Sequence, residues 1–493
     1  MSRSTVPAWV SAVAAAQPDR PAVIGDDATW TYREFDQRSS RIAAGLLGSG
    51  DFDSGSRVGL VGLNSPEYLA AYFGVLRAGG VVVPLNGSLT ATELVEQLGF
   101  VDAAGCIQTA GAPALDGVGA LWPIEDLGGG EERLPTIDPA ADAIVLLTSG
   151  TTGAPKGVVH SHAGLLHAAL QMTMGLPFAR DDVNIAFLPF FASIAEQVLP
   201  TLLAGGALRI LPRFDADRVI DACDGATTFD AVPTVVSRLL DTGAFGQLNK
   251  LRWIAFASEP MPPAVLERWW SEVPDVLTYE FYGMTEMLPV THASPADLAE
   301  DPTSVGTPYS TSLVRVVDES LEVVPAGEEG EITCASPARM SRYLGDEQAT
   351  RAALTPDGAM RTGDLGRMGE DGHLRLTGRL KDLIISGGIN VAPAEIEAVA
   401  CRHPDVATAA VVGIPDDRWG ETPIVVAVAS GNSGSTLTPD RLLDHCREIL
   451  RGPKRPSGAA VVERLPVTGI GKSAKGELRE SIINGEVPIV RAR

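Results

Sequence analysis

The chain has 493 residues and a formal net charge of −23, with 45% hydrophobic and 20% charged residues. This length indicates more than one compact domain, and the composition is typical of a globular protein rather than a disordered one. The acidic balance argues against non-specific nucleic-acid binding, and no apolar run reaches the ~18–20 residues of a membrane-spanning helix. The five cysteines are far apart and form no C-x-x-C pair, which favours a reducing cytoplasm over a disulfide framework.

Helix and strand signals alternate along the first third of the chain. Apolar spacing predicts three helices, over residues 6–16, 32–47 and 68–76, and two strands, over 57–63 and 79–84. A glycine-rich segment then precedes another apolar run over 143–147. Strand–helix–strand order with short connections predicts a parallel α/β sheet covered on both faces, in which this run is a central parallel strand.

The pattern changes after about residue 300. Short strands separated by Gly and Pro, over 313–317, 330–333 and 373–376, predict a smaller β-rich subdomain. From about residue 380 helix and strand signals mix again. Thr438-Pro439 opens an amphipathic helix, which Gly452-Pro453 closes.

The segment from Thr148 to Gly157 reads Thr-Ser-Gly-Thr-Thr-Gly-Ala-Pro-Lys-Gly and follows an apolar run directly. Small and hydroxyl-bearing residues let backbone N–H groups approach phosphate oxygens, and a lysine supplies a cation. It is not a Walker A loop, because its second glycine is followed by Ala-Pro rather than Lys and Ser or Thr. An ordinary flexible loop is the alternative. The predicted phosphate-binding residues are Thr148, Ser149, Gly150, Thr151, Thr152, Gly153 and Lys156.

Five further motifs follow this segment in the chain. They are Tyr282-Gly-Met-Thr-Glu286, Thr362-Gly-Asp-Leu365, Gly378-Arg-Leu-Lys-Asp382, Gly387-Gly-Ile-Asn-Val-Ala-Pro-Ala-Glu-Ile-Glu397 and Gly471-Lys472. With these six motifs, in the same order, the chain resembles the adenylate-forming superfamily of acyl-CoA synthetases, non-ribosomal adenylation domains and luciferases over nearly its whole length. Each motif alone is weakly specific, whereas six in order are strongly specific.

The resemblance implies both a fold and a reaction. The implied α/β fold has a large N-terminal domain of two αβ-layered sheets with a small β-rich subdomain over 1–377, a hinge over 378–382 and a small mobile α+β C-terminal domain over 383–493. A substrate carboxylate would attack the α-phosphorus of ATP to give an acyl-adenylate and pyrophosphate, and a phosphopantetheine thiol would displace AMP. The implied cofactors are ATP and Mg2+. The thiol would belong either to CoA or to the phosphopantetheine of a separate acyl carrier protein.

Roles carry over from the motifs residue by residue. The phosphate loop would hold the β- and γ-phosphates, Thr285 the α-phosphate and Glu286 the Mg2+ ion, which prefers carboxylate and phosphate oxygens. Lys472 would bridge the substrate carboxylate and the α-phosphate, although a lysine in a turn-rich loop is by itself typical of a solvated surface. Lys381 would be the hinge residue. The other implied nucleotide contacts are Ser258, Glu259, Tyr282, Gly283, Asp364 and Arg379.

The acid-binding residues depart from the common family patterns. Phe191 stands where α-amino-acid adenylation domains have an Asp for the substrate ammonium, and Ala192 stands where many CoA ligases have a His. Asp230 lies among apolar residues. Either it binds an ammonium displaced from the α position, as in the similar enzymes that activate β-amino acids for macrolactams, or it caps the helix near Pro233 or pairs with a nearby donor. The implied substrate contacts are Phe190, Phe191, Asp230, Ala257, Ser258, Gly283 and Met287.

The sequence therefore predicts an ATP-dependent carboxylic acid–thiol ligase. The leading hypothesis is a stand-alone enzyme that activates a β-amino acid for a carrier protein in secondary metabolism. The alternative is an acyl-CoA synthetase for a fatty, aryl or other non-amino acid. An inactive adenylate-binding protein is a remote alternative, because Lys472, Glu286 and Asp364 are all present. His160 and His162 have no third ligand nearby, so they predict hydrogen-bonding or solvated histidines rather than a metal pair.

Overall fold

The computed structural model describes residues 4–128, 133–149, 155–259, 261–430, 437–466 and 474–491. It divides into two compact units, one made of Met1–Val314 and Cys334–Met360 and the other of Arg315–Thr333 and Arg361–Arg493. Residues 361–377 thus group with the second unit, and the predicted hinge over 378–382 stays a prediction. Within the described ranges, no helix is both long and apolar enough to cross a bilayer.

The helices of the described residues are distributed along the whole chain. In chain order they are α1 (Val6–Ala16), α2 (Tyr32–Gly48), α3 (Pro66–Arg77), α4 (Ala91–Phe100), α5 (His162–Gly175), α6 (Phe190–Ser193), α7 (Leu199–Ala204), α8 (Ala216–Ala222), α9 (Pro233–Asp241), α10 (Phe245–Leu248), α11 (Pro263–Glu272), α12 (Pro295–Glu300), α13 (Glu347–Ala352), α14 (Pro393–Ala400), α15 (Pro439–Ile449) and α16 (Lys475–Ile483). A π-helical turn, Ile194–Val198, joins α6 to α7.

The strands alternate with these helices. In chain order they are β1 (Pro21–Ile24), β2 (Thr29–Thr31), β3 (Arg57–Val61), β4 (Val81–Pro84), β5 (Gly105–Gln108), β6 (Ala120–Pro123), β7 (Asp142–Ser149), β8 (Pro155–Ser161), β9 (Val183–Ala186), β10 (Ala207–Ile210), β11 (Thr228–Ala231), β12 (Trp253–Phe256), β13 (Leu277–Met284), β14 (Leu288–Ala293), β15 (Thr307–Pro308), β16 (Leu313–Val317), β17 (Glu329–Ala335), β18 (Arg342–Tyr343), β19 (Met360–Met368), β20 (Leu374–Arg379), β21 (Ile384–Ser386), β22 (Ile389–Val391), β23 (Val406–Asp416), β24 (Gly420–Ala429), β25 (Gly458–Val462) and β26 (Val490–Arg491).

The first unit contains two large sheets. One has the order β18-β8-β7-β4-β3-β5-β6, and the other has the order β15-β14-β13-β12-β11-β9-β10-β1-β2. Strands β9 to β13 of the second sheet pair in parallel, so the carboxyl ends of β11, β12 and β13 meet at one edge. Crevices at such edges are where open α/β sheets bind ligands.

Helix α2 illustrates how local sequence and packing combine in this unit. The Thr31 hydroxyl accepts from the Glu34 backbone N–H, while the Glu34 carboxylate accepts from the Thr31 N–H, so both donors are satisfied at the start of the helix. The helix then buries Phe35, whose ring meets Phe73 of α3 edge-on at 5.4 Å. The cap fixes where the helix begins, and the apolar face fixes what it covers.

The second unit holds two smaller sheets. The four-stranded sheet has the order β16-β17-β19-β20, and the C-terminal sheet has β24 between β25 and β21, with β23 as a long antiparallel partner. Helices α14 and α15 cover the C-terminal sheet with Ile396, Leu442 and Cys446. Helix α16 packs Leu478 and Ile482 into a separate cluster.

The predicted fold class is confirmed, with one correction inside the first unit. The run over 143–147 lies in β7, which pairs in parallel with β4 but antiparallel with β8. It is therefore not flanked by parallel strands on both sides, because β8 lies antiparallel beside it. The helices predicted over 6–16, 32–47 and 68–76 correspond to α1, α2 and α3.

Candidate active site

The predicted phosphate loop begins in β7 and ends in β8, two antiparallel strands that form a hairpin. Thr148 and Lys156 face each other across the ladder, one residue pair before Ser149 and Pro155. Gly150, Thr151, Thr152 and Gly153, and the side chain of Ser149, lie outside the described residues. Thr148 and Lys156 therefore occupy the paired ends of the segment that the sequence assigns to phosphate.

The Thr285–Glu286 dipeptide lies in the turn between β13 and β14. Two hydrogen bonds hold its backbone from other segments: His160 Nε2 bonds the Thr285 carbonyl oxygen at 2.7 Å, and the Met340 N–H donates to the Glu286 carbonyl oxygen at 2.7 Å. The Tyr343 hydroxyl donates to Glu286 Oε1, also at 2.7 Å. Two stretches that are distant in sequence, one at His160 and one over residues 340–343, therefore fix this turn.

Tyr343 also contacts the phosphate hairpin. The Lys156 ammonium nitrogen lies 4.8 Å from the centroid of the Tyr343 ring, within the range of a cation–π interaction. Lys156 and Glu286, whose implied targets are phosphate and metal, thus meet on one aromatic side chain. Tyr343 was not predicted as a site residue, since nothing in a short Tyr-containing segment indicates which strand it pairs with.

The residues suit a magnesium ion at Glu286. Magnesium is commonly bound by one or two carboxylates together with substrate phosphate oxygens rather than by an all-protein cage. Glu286 is half-buried, beside the hairpin that carries Lys156, and a hydroxyl orients its carboxylate. Within the ranges the structure describes, no group of three or more His, Cys, Asp or Glu side chains could hold a metal by itself. The residues present therefore suit a magnesium ion held by one protein carboxylate, that of Glu286, together with phosphate oxygens of the nucleotide.

His160 and His162 are both buried, and the hydrogen-bonding prediction is confirmed for His160. Burial lowers the pKa of each imidazole to about 4. A neutral His160 donates from Nε2 to the Thr285 carbonyl oxygen, which fixes the tautomer. His160 therefore supports the Thr285 turn.

The segment after β12, which holds the implied nucleotide contacts Ser258 and Glu259, contains an unusual backbone conformation. Ser258 has φ +80°, in the left-handed region that non-glycine residues adopt only with strain. Ala257 donates its N–H to the Ala231 carbonyl oxygen at 3.4 Å, which ties this segment to the end of β11. Glu259 is half-buried. The strained turn lies at the sheet edge where β11, β12 and β13 end.

Tyr282 and Gly283 lie at the end of β13. Tyr282 is 7% exposed. A Cβ atom on Gly283 would lie 2.1 Å from the Leu288 carbonyl oxygen, so no side chain fits there. Met287, in the same turn, is fully buried. The glycine allows β13 and β14 to approach closely enough to present Thr285 and Glu286 at the turn.

The predicted acid-pocket phenylalanines begin α6. Phe190 is buried against Tyr68 at 5.8 Å between ring centroids, whereas Phe191 is half-exposed. Asn64 accepts from the Phe190 N–H at 2.9 Å and donates to the Leu188 carbonyl oxygen at 2.8 Å. Asn64 thereby fixes the start of α6, and it is a second residue that the sequence analysis missed.

Asp230 lies inside the first unit beside two hydrogen-bonded amide side chains, those of Asn184 and Gln197. Asn184 Nδ2 donates to Asp230 Oδ2 at 3.1 Å and to Thr228 Oγ1 at 3.0 Å, and Gln197 Nε2 donates to Asn184 Oδ1 at 3.0 Å. Asp230 Oδ1 is buried without a hydrogen-bond partner among the described residues. Burial raises the Asp230 pKa to about 7, although the nearby amides of Asn184 and Gln197 oppose the shift.

The structure distinguishes the two structural roles predicted for Asp230, a helix cap and a partner of a nearby donor. Helix α9 begins after Val232 and has no side-chain cap, so the expectation that Asp230 caps this helix is wrong. The extended strand β11 places Asp230 in register with Ala255 of β12 and directs it into the protein interior instead. The alternative of a nearby donor is confirmed, and that donor is Asn184. Asn184 was detectable as a polar residue within an apolar strand.

In the second unit, the predicted ribose and phosphate contacts pair with each other. Asp364 and Arg379 are cross-strand neighbours on β19 and β20, with Arg379 Nε 2.9 Å from Asp364 Oδ1. Asp364 is buried and Arg379 is exposed. Lys381 is exposed in a short 3-10 turn, Leu380–Asp382, between β20 and β21. Lys472 lies outside the described residues.

Comparison with known proteins agrees with this arrangement. Residues 10–344 match the family of AMP-binding enzymes, and residues 395–472 match the AMP-binding enzyme C-terminal domain. Feruloyl-CoA synthase from Amycolatopsis sp is 35% identical over 96% of this chain and 98% of its own. Indoleacetate–CoA ligase from Aromatoleum aromaticum is 32% identical over 96% of this chain and 97% of its own. The ATP-bound structure of MatB from Rhodopseudomonas palustris superposes with a TM-score of 0.89 at 28% identity, over 97% and 98% of the two chains.

The fold and the comparisons together indicate an enzyme that joins an acid to a thiol through an adenylate. The chain belongs to the AMP-binding, adenylate-forming superfamily and is an adenylate-forming acid–thiol ligase.

Proposed function

We propose that the enzyme is an acid–CoA ligase, which converts a carboxylic acid, ATP and CoA into an acyl-CoA, AMP and pyrophosphate. The meeting of Lys156 and Glu286 on Tyr343, beside the Thr285 turn, carries the adenylation half of this proposal. The CoA half is supported by whole-length likeness to ligases whose names specify CoA. Two anions must approach each other in adenylation, so fixed cations and dipoles at the phosphates supply much of the rate enhancement.

The residues of the proposed site have separate roles in this reaction. Lys156 neutralises charge on the β- and γ-phosphates, and the Thr285 hydroxyl donates to the α-phosphate. Glu286 would hold the magnesium ion, which when bound screens the charge of the phosphate oxygens. Tyr282 offers a flat face for the adenine. Lys472 brings the positive charge that the attacking carboxylate and the α-phosphate share.

The ribose contact and the hinge are proposed for Asp364, Arg379 and Lys381 from the family motifs. Asp364 has the paired acceptor oxygens that a ribose diol requires, and Arg379 has a planar donor fork. The hinge proposed at Lys381 lies between the two family matches, which end at 344 and begin at 395. Its place in a short turn between two strands suits a hinge, since a few element-terminal residues absorb such backbone changes.

The acid is proposed to be an aryl, fatty or other non-amino acid. Phe190 and Phe191 offer an apolar wall in the segment where α-amino-acid enzymes place a carboxylate, so an α-ammonium would have no counter-charge there. An unpaired ammonium is costly to bury. The acids in the names of the two relatives described above, ferulate and indoleacetate, carry no amino group.

A second candidate function is supported by Asp230 alone. This function is activation of a β-amino acid for a carrier protein, with Asp230 as the counter-charge of the substrate ammonium. The amide chain from Gln197 through Asn184 donates to Asp230 Oδ2 and leaves Oδ1 buried without a partner among the described residues. A substrate cation would satisfy that oxygen, whereas a non-amino acid would leave it without a charged partner.

One experiment separates the two candidates. The enzyme is offered aryl, fatty, α-amino and β-amino acids with ATP and Mg2+, and either CoA or a phosphopantetheinylated carrier protein as acceptor, with the apo carrier as control. We expect acyl-CoA from a non-amino acid as the product with the highest kcat/KM. A β-amino acid transferred preferentially to the holo carrier would establish the second candidate instead.

Replacement of Asp230 by Asn tests whether this carboxylate pairs with a substrate ammonium. The variant keeps the shape and the acceptor for Asn184 but removes the charge. We expect kcat/KM for the best non-amino acid to change less than about threefold, since no buried ion pair is lost. Loss of a buried charge pair with a substrate ammonium would instead lower kcat/KM by about 10²–10³-fold.

The Asp230→Asn variant also has an expected pH signature. A carboxyl whose pKa rises from 3.8 to about 7 on folding keeps its proton in the folded chain after the unfolded chain has released it. Its contribution to stability therefore falls as pH rises through this window, by about 2–3 kcal/mol between pH 5 and pH 8. The stability of Asp230→Asn relative to wild type should increase over that range in urea unfolding. A constant difference would show that Asp230 titrates normally.

A further inference from the structure

Tyr343 is held rigidly on a short edge strand of the first unit. Strand β18 pairs with β8, with Tyr343 opposite Val158 and Arg342 opposite Val159. The Arg342 guanidinium binds both carboxylate oxygens of Asp142 on β7, at 3.0 and 2.5 Å. The Tyr343 N–H donates to Thr350 Oγ1 at 3.0 Å. The strand that carries the ring is thus tied to β7 and β8 on one side and to α13 on the other.

Two opposite charges lie on different parts of this one side chain. The hydroxyl donates to Glu286 Oε1 at 2.7 Å, and the ring lies 4.8 Å from the Lys156 ammonium nitrogen. The Tyr343 side chain is only 8% exposed, and Lys156 and Glu286 are both half-buried. A hydrogen bond that occupies Oε1 orients the carboxylate and leaves Oε2 as the oxygen for an incoming cation.

We propose that Tyr343 is a positioning residue for adenylation, which orients Glu286 toward the metal through its hydroxyl and holds Lys156 beside the phosphates through its ring. This inference rests on the proposed function. The outer partners of metal ligands commonly affect metal affinity about 10–100-fold when removed. A tyrosine that merely filled the core would affect stability without affecting the metal requirement.

Two substitutions separate the hydroxyl from the ring. Tyr343→Phe removes only the hydrogen bond to Glu286, so we expect the Mg2+ concentration for half-maximal adenylation to rise about tenfold. At saturating Mg2+ the rate should recover to within about threefold of wild type. Tyr343→Leu also removes the ring face, and the KM for ATP should rise a further two- to fivefold because the cation–π interaction is lost.

Binding provides a readout that does not depend on turnover. Calorimetric titration with α,β-methylene-ATP, at limiting and at saturating Mg2+, should show weaker binding by Tyr343→Phe mainly at limiting Mg2+. Tyr32→Phe is the matched control, because its buried hydroxyl lies 2.7 Å from the Gly206 carbonyl oxygen in a purely structural setting. This control should unfold at a lower temperature and keep the wild-type Mg2+ dependence.

The outcomes distinguish this inference from the proposed function. If wild type adenylates an acid but Tyr343→Phe keeps the wild-type Mg2+ requirement in both assays, the positioning role is overturned. A Tyr343→Phe rate defect that saturating Mg2+ does not relieve also overturns it. If wild type adenylates no acid at all, the proposed function fails, and this inference fails with it.

Discussion

Replacing Lys472 with alanine is expected to lower the rate of acyl-adenylate formation by about 10²–10³-fold or more. The reaction brings a carboxylate to an α-phosphate that is already negatively charged, and Lys472 is the cation that the family motif assigns to both groups. Its loss exposes the mutual repulsion of the two anions in the transition state. The measurement is single-turnover formation of adenylate and pyrophosphate by rapid quench.

The second half-reaction provides the internal control for Lys472. Thioester formation from supplied acyl-adenylate does not bring two anions together, so it should survive in Lys472→Ala. Lys454→Ala removes the same charge from a half-exposed lysine that pairs with Glu395 at 2.7 Å, and it should leave both steps intact. Equal losses in both half-reactions of Lys472→Ala would contradict its assigned role.

Replacing Glu286 with glutamine is expected to lower adenylation by about 100-fold or more at ordinary Mg2+ concentrations. Glutamine keeps an oxygen that can accept from the Tyr343 hydroxyl, so the turn keeps its hydrogen bond while the charge disappears. An amide oxygen is a weaker magnesium ligand than a carboxylate. Titration with Mg2+ and Mn2+ should therefore show partial recovery at high metal concentration.

Glu300→Gln is the matched control for this charge change. Glu300 is exposed at the end of α12, and its loss should alter neither the rate nor the metal requirement. A Glu286→Gln enzyme with the wild-type Mg2+ dependence would show that this carboxylate does not hold the metal.

The fold class and the catalytic region were predictable because their signals are local. The capping box of Thr31 and Glu34 marks the start of α2, and the order of six motifs identifies the superfamily. By contrast, apolar composition cannot say whether a neighbouring strand is parallel. The run over 143–147 was therefore expected to be a central parallel strand, although β8 returns antiparallel beside it.

The missed residues act over long sequence separations. Tyr343 is 57 residues from Glu286. Asn184 reaches Asp230 from strand β9, and Gln197 reaches Asn184 from a π-helical turn. Only the register of β18 on β8, and of β9 beside β11, brings these atoms together. The same limit explains the mistaken helix-cap alternative for Asp230, whose extended backbone directs it inward rather than along α9.

Exchange of labelled pyrophosphate into ATP tests most directly whether this protein activates a carboxyl group. Adenylate formation is reversible, so any accepted acid should carry label into ATP in the presence of Mg2+ and folded wild-type enzyme. We expect acid-dependent exchange with at least one of the aryl, fatty, α-amino and β-amino acids, and its loss in Lys472→Ala. If no acid in the set raises exchange above the acid-free background, the protein does not perform the chemistry proposed for it.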